Sequence, residues 1–461
     1  MRIGVLPLGR PTFDVPFAEE KLAQMLEALR RSEHEILGPQ TLLMEESAAR
    51  EASAGLVSDD IDQMLILQVT FTDASMTVAV GDEFAGPLSI WAVPEPRMGG
   101  RLRLNAFCGL NLASHALGLR ERPFSWLYAD PAGDVDDDLD SLLDGRRLPG
   151  RRVAQVASDA ISVEGRRIAE SLRGRRIARV GSHPYGFDTC AYAADRLSTL
   201  ADITVDEIEL DHLFTLARST ETADTSGVRR RAEESLEGLA KVDQDQLDRS
   251  LRLKTGLDQI RTEGGYDAFA IRCWPETFTE YGGAICGPVS MMVQNKVPCA
   301  CEADVYGAVT QLILQEAAGA PVFLTDLVDL DTADNTGVVW HCGQAPVSMC
   351  EPDAVPTATV HSNHAMPLLY QFALKPGPVT FLRVSQSFNQ PKMVLAFGEM
   401  LRRPMAFTGT SGVVRFEHGA SAVLEDIISS GLEHHMAIAY GDHRDVLRSV
   451  AAVMQLPLLE M

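Results

Sequence analysis

The first third of the chain alternates unbroken apolar runs with amphipathic ones. RIGVLPL, QMLILQVTF, PLSIWAVP and FSWLYAD are short and apolar throughout, whereas FAEEKLAQMLEALRRS repeats its apolar positions at the spacing of one helix face. Strands that hide both faces belong to parallel sheets covered by helices, and the intervals between them suit crossover connections. A second series starts at IARVGS, continues through ITVDEIEL, and returns to a strand at YDAFAIRCW after a charged, helix-rich section from about His212 to Gly264. After Asn335 the texture changes to short β-rich runs: GVVWHC, ATVHS, GPVTFLRVS, KMVLAFGEML, GVVRFEH and HHMAIAYG. The helical HRDVLRSVAAVMQ closes the series. Runs of this kind, parted by turn residues, predict a barrel or sandwich. The expected fold is α/β, with two Rossmann-like parallel-sheet domains over 1–170 and 171–335 and a C-terminal β-barrel-like domain over 336–461.

Composition narrows the partners. A chain of 461 residues, 46% of them hydrophobic, has more material than one compact domain needs. A net charge of -23 argues against nucleic acid, which is gripped by a clustered basic surface, and leaves small molecules or other subunits. The start MRIGVLPLGRPTFDVPF lacks the pattern of an export signal, and no run of about 18 apolar residues exists to span a membrane, so a cytoplasmic location is expected. The eight cysteines follow no framework spacing and are read as reduced thiols. The acidic run from Asp130 to Gly145 lacks the spacing of a calcium loop and is read as a solvated helix start or linker.

Groups able to do chemistry concentrate between 264 and 345. Glu302 follows a turn marked by Pro298, near a helix start where the helix dipole favours any acid, and Asp304 is read as a helix-start acid alone. Asp326 closes the apolar strand PVFLTD, and in open α/β sheets ligands gather at the carboxyl ends of strands. Two carboxylates brought together either repel or share a cation, for which a divalent metal is the usual solution. Candidates for a third ligand are His341 and the pair His434 and His435; strand alternation predicts that at most one of that pair faces a given pocket. His34, His212 and His443 sit in polar settings and are read as surface residues. The CAC and WHCG segments do not match zinc spacing, so Cys299, Cys301 and Cys342 are read as packing residues. No dinucleotide fingerprint, nucleophile elbow or phosphate-binding loop is present.

The run RCWPETFTEYGGAICGPVSMMVQNKVPCACEADVYGAVTQLIL, with LTDLVDLDTADNTGVVWHCGQAP behind it and HHMAIAYGD near the end, resembles the L-fucose/L-arabinose isomerase family. GFDTCAYAADRLSTLADITVDEIEL is similar to that family's second domain, and VTFTDASM with NAFCGLNLASHAL to its first. The resemblance implies an aldose-ketose isomerase with two α/β domains and a barrel-like third. It implies a divalent cation, commonly Mn²⁺, with Mg²⁺ or Co²⁺ as other candidates, held by Glu302, Asp326 and His435. His434 is then expected near the substrate, and His341 is a possible further ligand or substrate contact, as in the arabinose branch. Asp326, where that branch has Glu, matches the fucose branch, which manages without such a histidine. Homo-oligomers, often hexamers, are implied as well, with the Asn105 to His115 stretch reaching a neighbour's site. The chain is shorter than classical fucose isomerases and looks like the divergent branch that includes isomerases of modified sugars such as sulfoquinovose.

The chemistry of the residues agrees with this. Moving a proton between C1 and C2 of an open-chain sugar passes through a cis-enediol or enediolate, which calls for a Lewis acid and for a base and an acid near both carbons. Glu302 and Asp326 are expected to serve as ligands and as that proton shuttle. Trp274, Tyr185, Phe187, Cys286 and Ser290 are candidates for the sugar pocket. Two rival readings use the same residues: a sugar-binding or regulatory protein that has kept the fold, and a metal-dependent lyase or hydrolase.

Overall fold

The computed structural model describes residues 1–145 and 161–461. Its first sheet is formed by the apolar runs of the N-terminal third: β1 (Arg2–Leu8), β2 (Glu35–Leu37), β3 (Gln63–Gln68), β4 (Leu88–Ala92) and β5 (Ser125–Tyr128). They lie in the order β2-β1-β3-β4-β5, all parallel. β1, β3 and β4 are buried along almost their whole length, as two-sided coverage by helices requires. The first covering helix, Val15–Arg31, is capped by Asp14, whose carboxylate accepts from the Phe17 N–H, and ends on Arg30 and Arg31, where the dipole favours cations.

The second sheet is smaller: β6 (Arg176–Val180), β7 (Thr204–Ile208), β8 (Ala268–Ile271) and β9 (Cys299–Ala300), parallel in the order β7-β6-β8-β9. The charged section between β7 and β8 is helical, over Leu210–Ser219, Thr222–Ser235 and Gln244–Gly264.

The third sheet is mixed and has nine strands: β10 (Phe323–Asp331), β11 (Thr336–His341), β12 (Thr357–Thr359), β13 (Leu369–Ala373), β14 (Gly377–Ser385), β15 (Lys392–Leu401), β16 (Thr410–Phe416), β17 (His435–Tyr440) and β18 (Leu458–Glu460). Their order is β12-β13-β16-β11-β10-β17-β14-β15-β18, and a further pairing joins β15 to β16. β10 therefore pairs antiparallel with β11 and β17, although in sequence it falls before residue 336. The helix Val163–Ser171 spans position 170, and its Ile168 packs with Ile177, Val309 and Leu447.

One helix ties the second sheet to the third. Val305–Ala318 is buried at every position from Val305 to Leu314, because both of its sides are covered. Val309 and Ile313 share a core with Ala268 and Ala300 on one side and with Leu382, Leu395 and Ala437 on the other. Burial of this kind is worth roughly 1.5–3 kcal/mol for each large aliphatic side chain. It holds the N-terminal end of this helix, and the residues just before it, against β10 and β17.

Candidate active site

Four strands, β9, β10, β11 and β17, converge on one pocket. Glu302 leaves the carboxyl end of β9 in a left-handed conformation (φ 57°, ψ 24°), a backbone state that costs a non-glycine residue energy and recurs at functional positions. Asp326 and His435 are directly opposed partners in the β10–β17 ladder, so register alone brings their side chains together. His341 ends β11, where its neighbour Trp340 is the partner of Asp326 on the other side.

Hydrogen bonding defines each ring's available nitrogen. His435 Nδ1 lies 2.9 Å from Asp304 Oδ2; the N–H donates to that carboxylate and leaves the Nε2 lone pair open. That nitrogen stands 3.4 Å from Asp326 Oδ1 and 3.8 Å from Glu302 Oε2. Burial and the adjacent His434 push the His435 imidazole down against the pull of Asp304, which keeps it neutral. His434 behaves oppositely: burial disfavours its charge, but the hydrogen bond from Nε2 to Glu302 Oε2 at 3.0 Å outweighs that and raises it. Burial likewise raises the Glu302 carboxyl, yet the hydrogen bond and charge of His434 hold it at about 2. Its other oxygen accepts from Trp274 Nε1 at 3.1 Å. His341 Nδ1 accepts from the Cys342 N–H at 2.9 Å, so its Nε2 carries the proton and is a donor.

Asp326 Oδ1, His341 Nε2 and His435 Nε2 are buried and have no hydrogen-bond partner among the described residues. Cys190, Glu302, His434 and His435 form one group whose ligand atoms lie within 4.8 Å of one another, and Asp326, His341 and His435 form a second. These sets adjoin a cavity of about 390 Å³ walled by Phe13, Phe71, Phe187, Trp274, Phe278 and Trp340.

Residues 4–151 match the family described as fucose/sulfoquinovose isomerase, N-terminal domain, and residues 340–461 match L-fucose isomerase, C-terminal domain. A sulfoquinovose isomerase of Priestia megaterium is 30% identical over 98% of this chain and 97% of its own. Another, from a Clostridium species, is 28% identical over 99% of this chain and 98% of its own. The chain belongs to the fucose/sulfoquinovose isomerase family. It is thereby an enzyme of the aldose-ketose isomerase class. Among solved structures, the fructose-binding periplasmic domain of a hybrid two-component system aligns with 60% of the chain and 73% of its own at 14% identity. Its TM-score of 0.18 is too low to carry an argument.

Within this family member, several sequence expectations need correction. Asp326 does not close a strand of an open α/β sheet: the apolar run continues through LVDL, so β10 extends to Asp331 and Asp326 sits inside the mixed sheet. Glu302, instead, occupies the carboxyl end of a parallel strand. His434 and His435 both reach Glu302, with rings 3.9 Å apart, because β17 begins at His435 and strand alternation does not govern the residue before it. Asn105 and Cys108 line the pocket of their own chain. The helix Ala106–Leu119 is docked there by Asn111 Nδ2 on the Leu432 carbonyl, 2.6 Å, and His115 Nδ1 on that of Gly431, 2.8 Å.

Of the proposed sugar-pocket residues, Trp274, Phe187 and Cys286 line the cavity. Tyr185 is 77% exposed, with its hydroxyl on Glu46, and Ser290 lies behind the wall, donating to the Ala345 carbonyl at 2.6 Å. Gly186 separates Tyr185 from Phe187: at φ +76° it turns one ring outward and the next inward, and a Cβ there would meet Asp73 Oδ1 at 2.3 Å. Cys301 and Cys342 line the cavity as well, whereas Cys299 packs behind it, in the core beside Val289 and Val297.

Sequence reading missed four contributors. Arg10 follows β1, and His361 and His364 stand in the HSNH loop between β12 and β13; all three line the cavity. The close spacing of those histidines in a polar loop was the available signal. Asp304 is the fourth: it caps its helix through the Gly307 N–H, as expected, but it also orients His435 and pairs with buried Arg383.

A separate buried knot holds the 93–105 segment that forms one edge of the pocket. Glu95 accepts the backbone N–H groups of Arg103, Leu104 and Asn105 at 2.6–2.8 Å, while Asp329 takes Arg97 Nε, Tyr128 Oη and the Glu95 N–H. Burial raises the Glu95 carboxyl to about 7, against the pull of those donors, from an ordinary 4.5. A raised carboxyl favours the folded state at low pH, and its contribution is lost as pH rises through the folded value. Between pH 6 and 8 the wild type should therefore lose about 1 kcal/mol of stability that Glu95→Gln does not lose. Urea midpoints of both proteins at the two pH values check this; a gap between them that is independent of pH assigns the titration elsewhere.

Proposed function

We propose that this isomerase moves one proton between C1 and C2 of an open-chain monosaccharide, through a cis-enediol or enediolate, with the help of a divalent cation. The observation that carries the reading is the crowding of unpartnered acceptors: Asp326 Oδ1 and His435 Nε2 stand 3.4 Å apart, with Glu302 Oε2 3.8 Å from the same nitrogen. Lone pairs so placed repel unless a cation stands among them. Two carboxylates and one neutral imidazole suit Mn²⁺, Mg²⁺ or Co²⁺, and the family resemblance favours Mn²⁺. Glu302, Asp326 and His435 would hold it, with Asp304 fixing the imidazole from behind. When bound, such an ion supplies Lewis acidity to the vicinal oxygens of the sugar.

The chain's own residues then do the rest. Asp326 Oδ1 has an open lone pair and is the better placed base, because both Glu302 oxygens already accept from Trp274 and His434. Glu302, kept ionised by His434, is the second member of the shuttle. His341 Nε2–H is a donor for a sugar oxygen, which favours a substrate role over a metal role for this residue. The aromatic walls exclude water from the reacting carbons.

The names of the relatives make sulfoquinovose the first substrate to try. We read the closed run of pairings β16-β11-β10-β17-β14-β15 as the barrel-like third domain and the two parallel sheets as Rossmann-like domains, near the boundaries 170 and 335. A homo-oligomer, hexameric by resemblance, and a cytoplasmic location belong to the same reading.

Purified protein with Mn²⁺ and a panel of neutral, deoxy and sulfonated aldoses in deuterated water tests it. Deuterium at C2 and ketose product are expected. No exchange with any sugar would sink the isomerase mechanism, and chain cleavage would favour a lyase. Stripping the metal with EDTA should also lower the melting temperature in a Mn²⁺-reversible way, since a ligand that binds only the folded state stabilises it.

A further inference from the structure

We infer that Arg10 recognises an anionic group at the end of the substrate remote from C1 and C2, so that the enzyme selects acidic sugars by charge. This rests on the isomerase reading above. Arg10 is the one arginine or lysine among the residues lining the cavity. It lies just beyond Leu8 at the carboxyl end of β1, the edge of a parallel sheet where ligands gather. Its backbone N–H is tied to Thr70 Oγ1 at 2.9 Å, and its guanidinium stands 5.7 Å from the Phe71 ring centroid and 5.5 Å from that of Trp274.

Asp73 holds only one corner of the fork, through Nη2 at 3.1 Å, and its other oxygen is occupied by the backbone and hydroxyl of Ser75. No bond joins Nε or Nη1 to another described residue. A guanidinium fixed at one corner, flanked by aromatic faces and open at the remaining donors, is arranged for a bidentate oxyanion.

Trp274 gives the direction. Its indole N–H is on Glu302 and its ring lies 5.5 Å from the Arg10 guanidinium, so one side chain links the Glu302 carboxylate to Arg10. A sugar lying along Trp274 would present its reacting carbons to Glu302 and Asp326 and its terminal substituent to Arg10. A negative group there is kept from the two acids and gains a part-buried cation, with which a charge-assisted bond is stronger than in bulk water. Sulfonate, phosphate and carboxylate share this chemistry.

The test compares wild type, Arg10→Met and Arg10→Lys on sulfoquinovose, glucose 6-phosphate, glucuronate and neutral 6-deoxyglucose, with Mn²⁺ present. Arg10→Met should raise KM for the preferred anionic sugar roughly 10- to 100-fold and change kcat/KM for the neutral sugar less than about 3-fold. Arg10→Lys should recover part of the loss, and added salt should raise KM only where the charge is present. Which anion responds most identifies the substituent. Calorimetric binding of the same sugars reads the contact without turnover, so it stands even if no isomerisation is seen. An equal loss on charged and neutral sugars, or unchanged affinity for every anion, overturns the assignment while leaving the isomerase reading intact.

Discussion

Glu302→Gln should lower turnover by at least roughly 10³-fold while the protein keeps its fold, and Asp326→Asn should do the same. The amide is nearly isosteric, and its oxygen can still accept from Trp274 Nε1, so the left-handed turn after β9 and the packing of the Val305–Ala318 helix are undisturbed. What is lost is a negative charge at the proposed cation site and the proposed proton acceptor. C2 deuterium exchange measures the turnover, and a thermal melt shows whether the fold is kept. Near-normal exchange in both variants would place the chemistry elsewhere, whereas collapse of the melt would show that the carboxylates are structural. Metal affinity read by equilibrium dialysis separates their two roles: a variant that still binds Mn²⁺ but does not exchange has lost only the proton acceptor.

The largest expected effect on stability belongs to Asp304. Its carboxylate receives Arg383 Nη1 at 2.5 Å and Nη2 at 3.1 Å, His435 Nδ1 at 2.9 Å and the Gly307 N–H at 2.8 Å, with Asp304 and Arg383 both only 1% exposed. Burial alone would raise this acid, but the Arg383 charge and the His435 bond hold it far below the usual carboxylate range. Asp304→Ala leaves a buried guanidinium opposed only by Glu433, whose Oε2 lies 3.8 Å from Arg383 Nε, and frees the His435 ring. Removing one partner of such a pair costs about 3–5 kcal/mol, mostly from the charge left behind. Urea unfolding at neutral pH should show that loss. A cost below about 1 kcal/mol would mean that Arg383 finds another partner. The double variant Asp304→Leu with Arg383→Met should recover much of the stability but not the metal affinity, because His435 remains unoriented. Since a depressed acid stabilises above its ordinary value and loses that contribution as pH falls through the folded one, the gap between wild type and Asp304→Ala should narrow in acid.

Asp304 also shows where sequence reading stops. Its place before an apolar helix predicted a cap, and it is a cap. Nothing local announces Arg383, which lies 79 residues further on in β14, or His435 in β17. The partners of a buried charge are set by packing, not by neighbours in the chain. Tyr185 and Phe187 make the same point on a smaller scale: two aromatic residues in one loop read alike, and the φ of the glycine between them sends one to solvent and the other to the pocket.

By itself the sequence determined the elements and the chemistry on offer. Short apolar runs parted by turn residues predict buried strands, a 3.6-residue stripe predicts a covered helix, and Glu302, Asp326, His434 and His435 supply the carboxylates and imidazoles whatever surrounds them. Only the tertiary structure decided how they meet. The β10–β17 register sets Asp326 opposite His435, and the doubly buried Val305–Ala318 helix carries Glu302 to both. The hydrogen bond of His435 to Asp304 and that of the Cys342 N–H to His341 decide which imidazole nitrogen is open and which holds a proton. Those bonds join residues from distant parts of the chain or depend on a ring's orientation, and neither is encoded in local pattern.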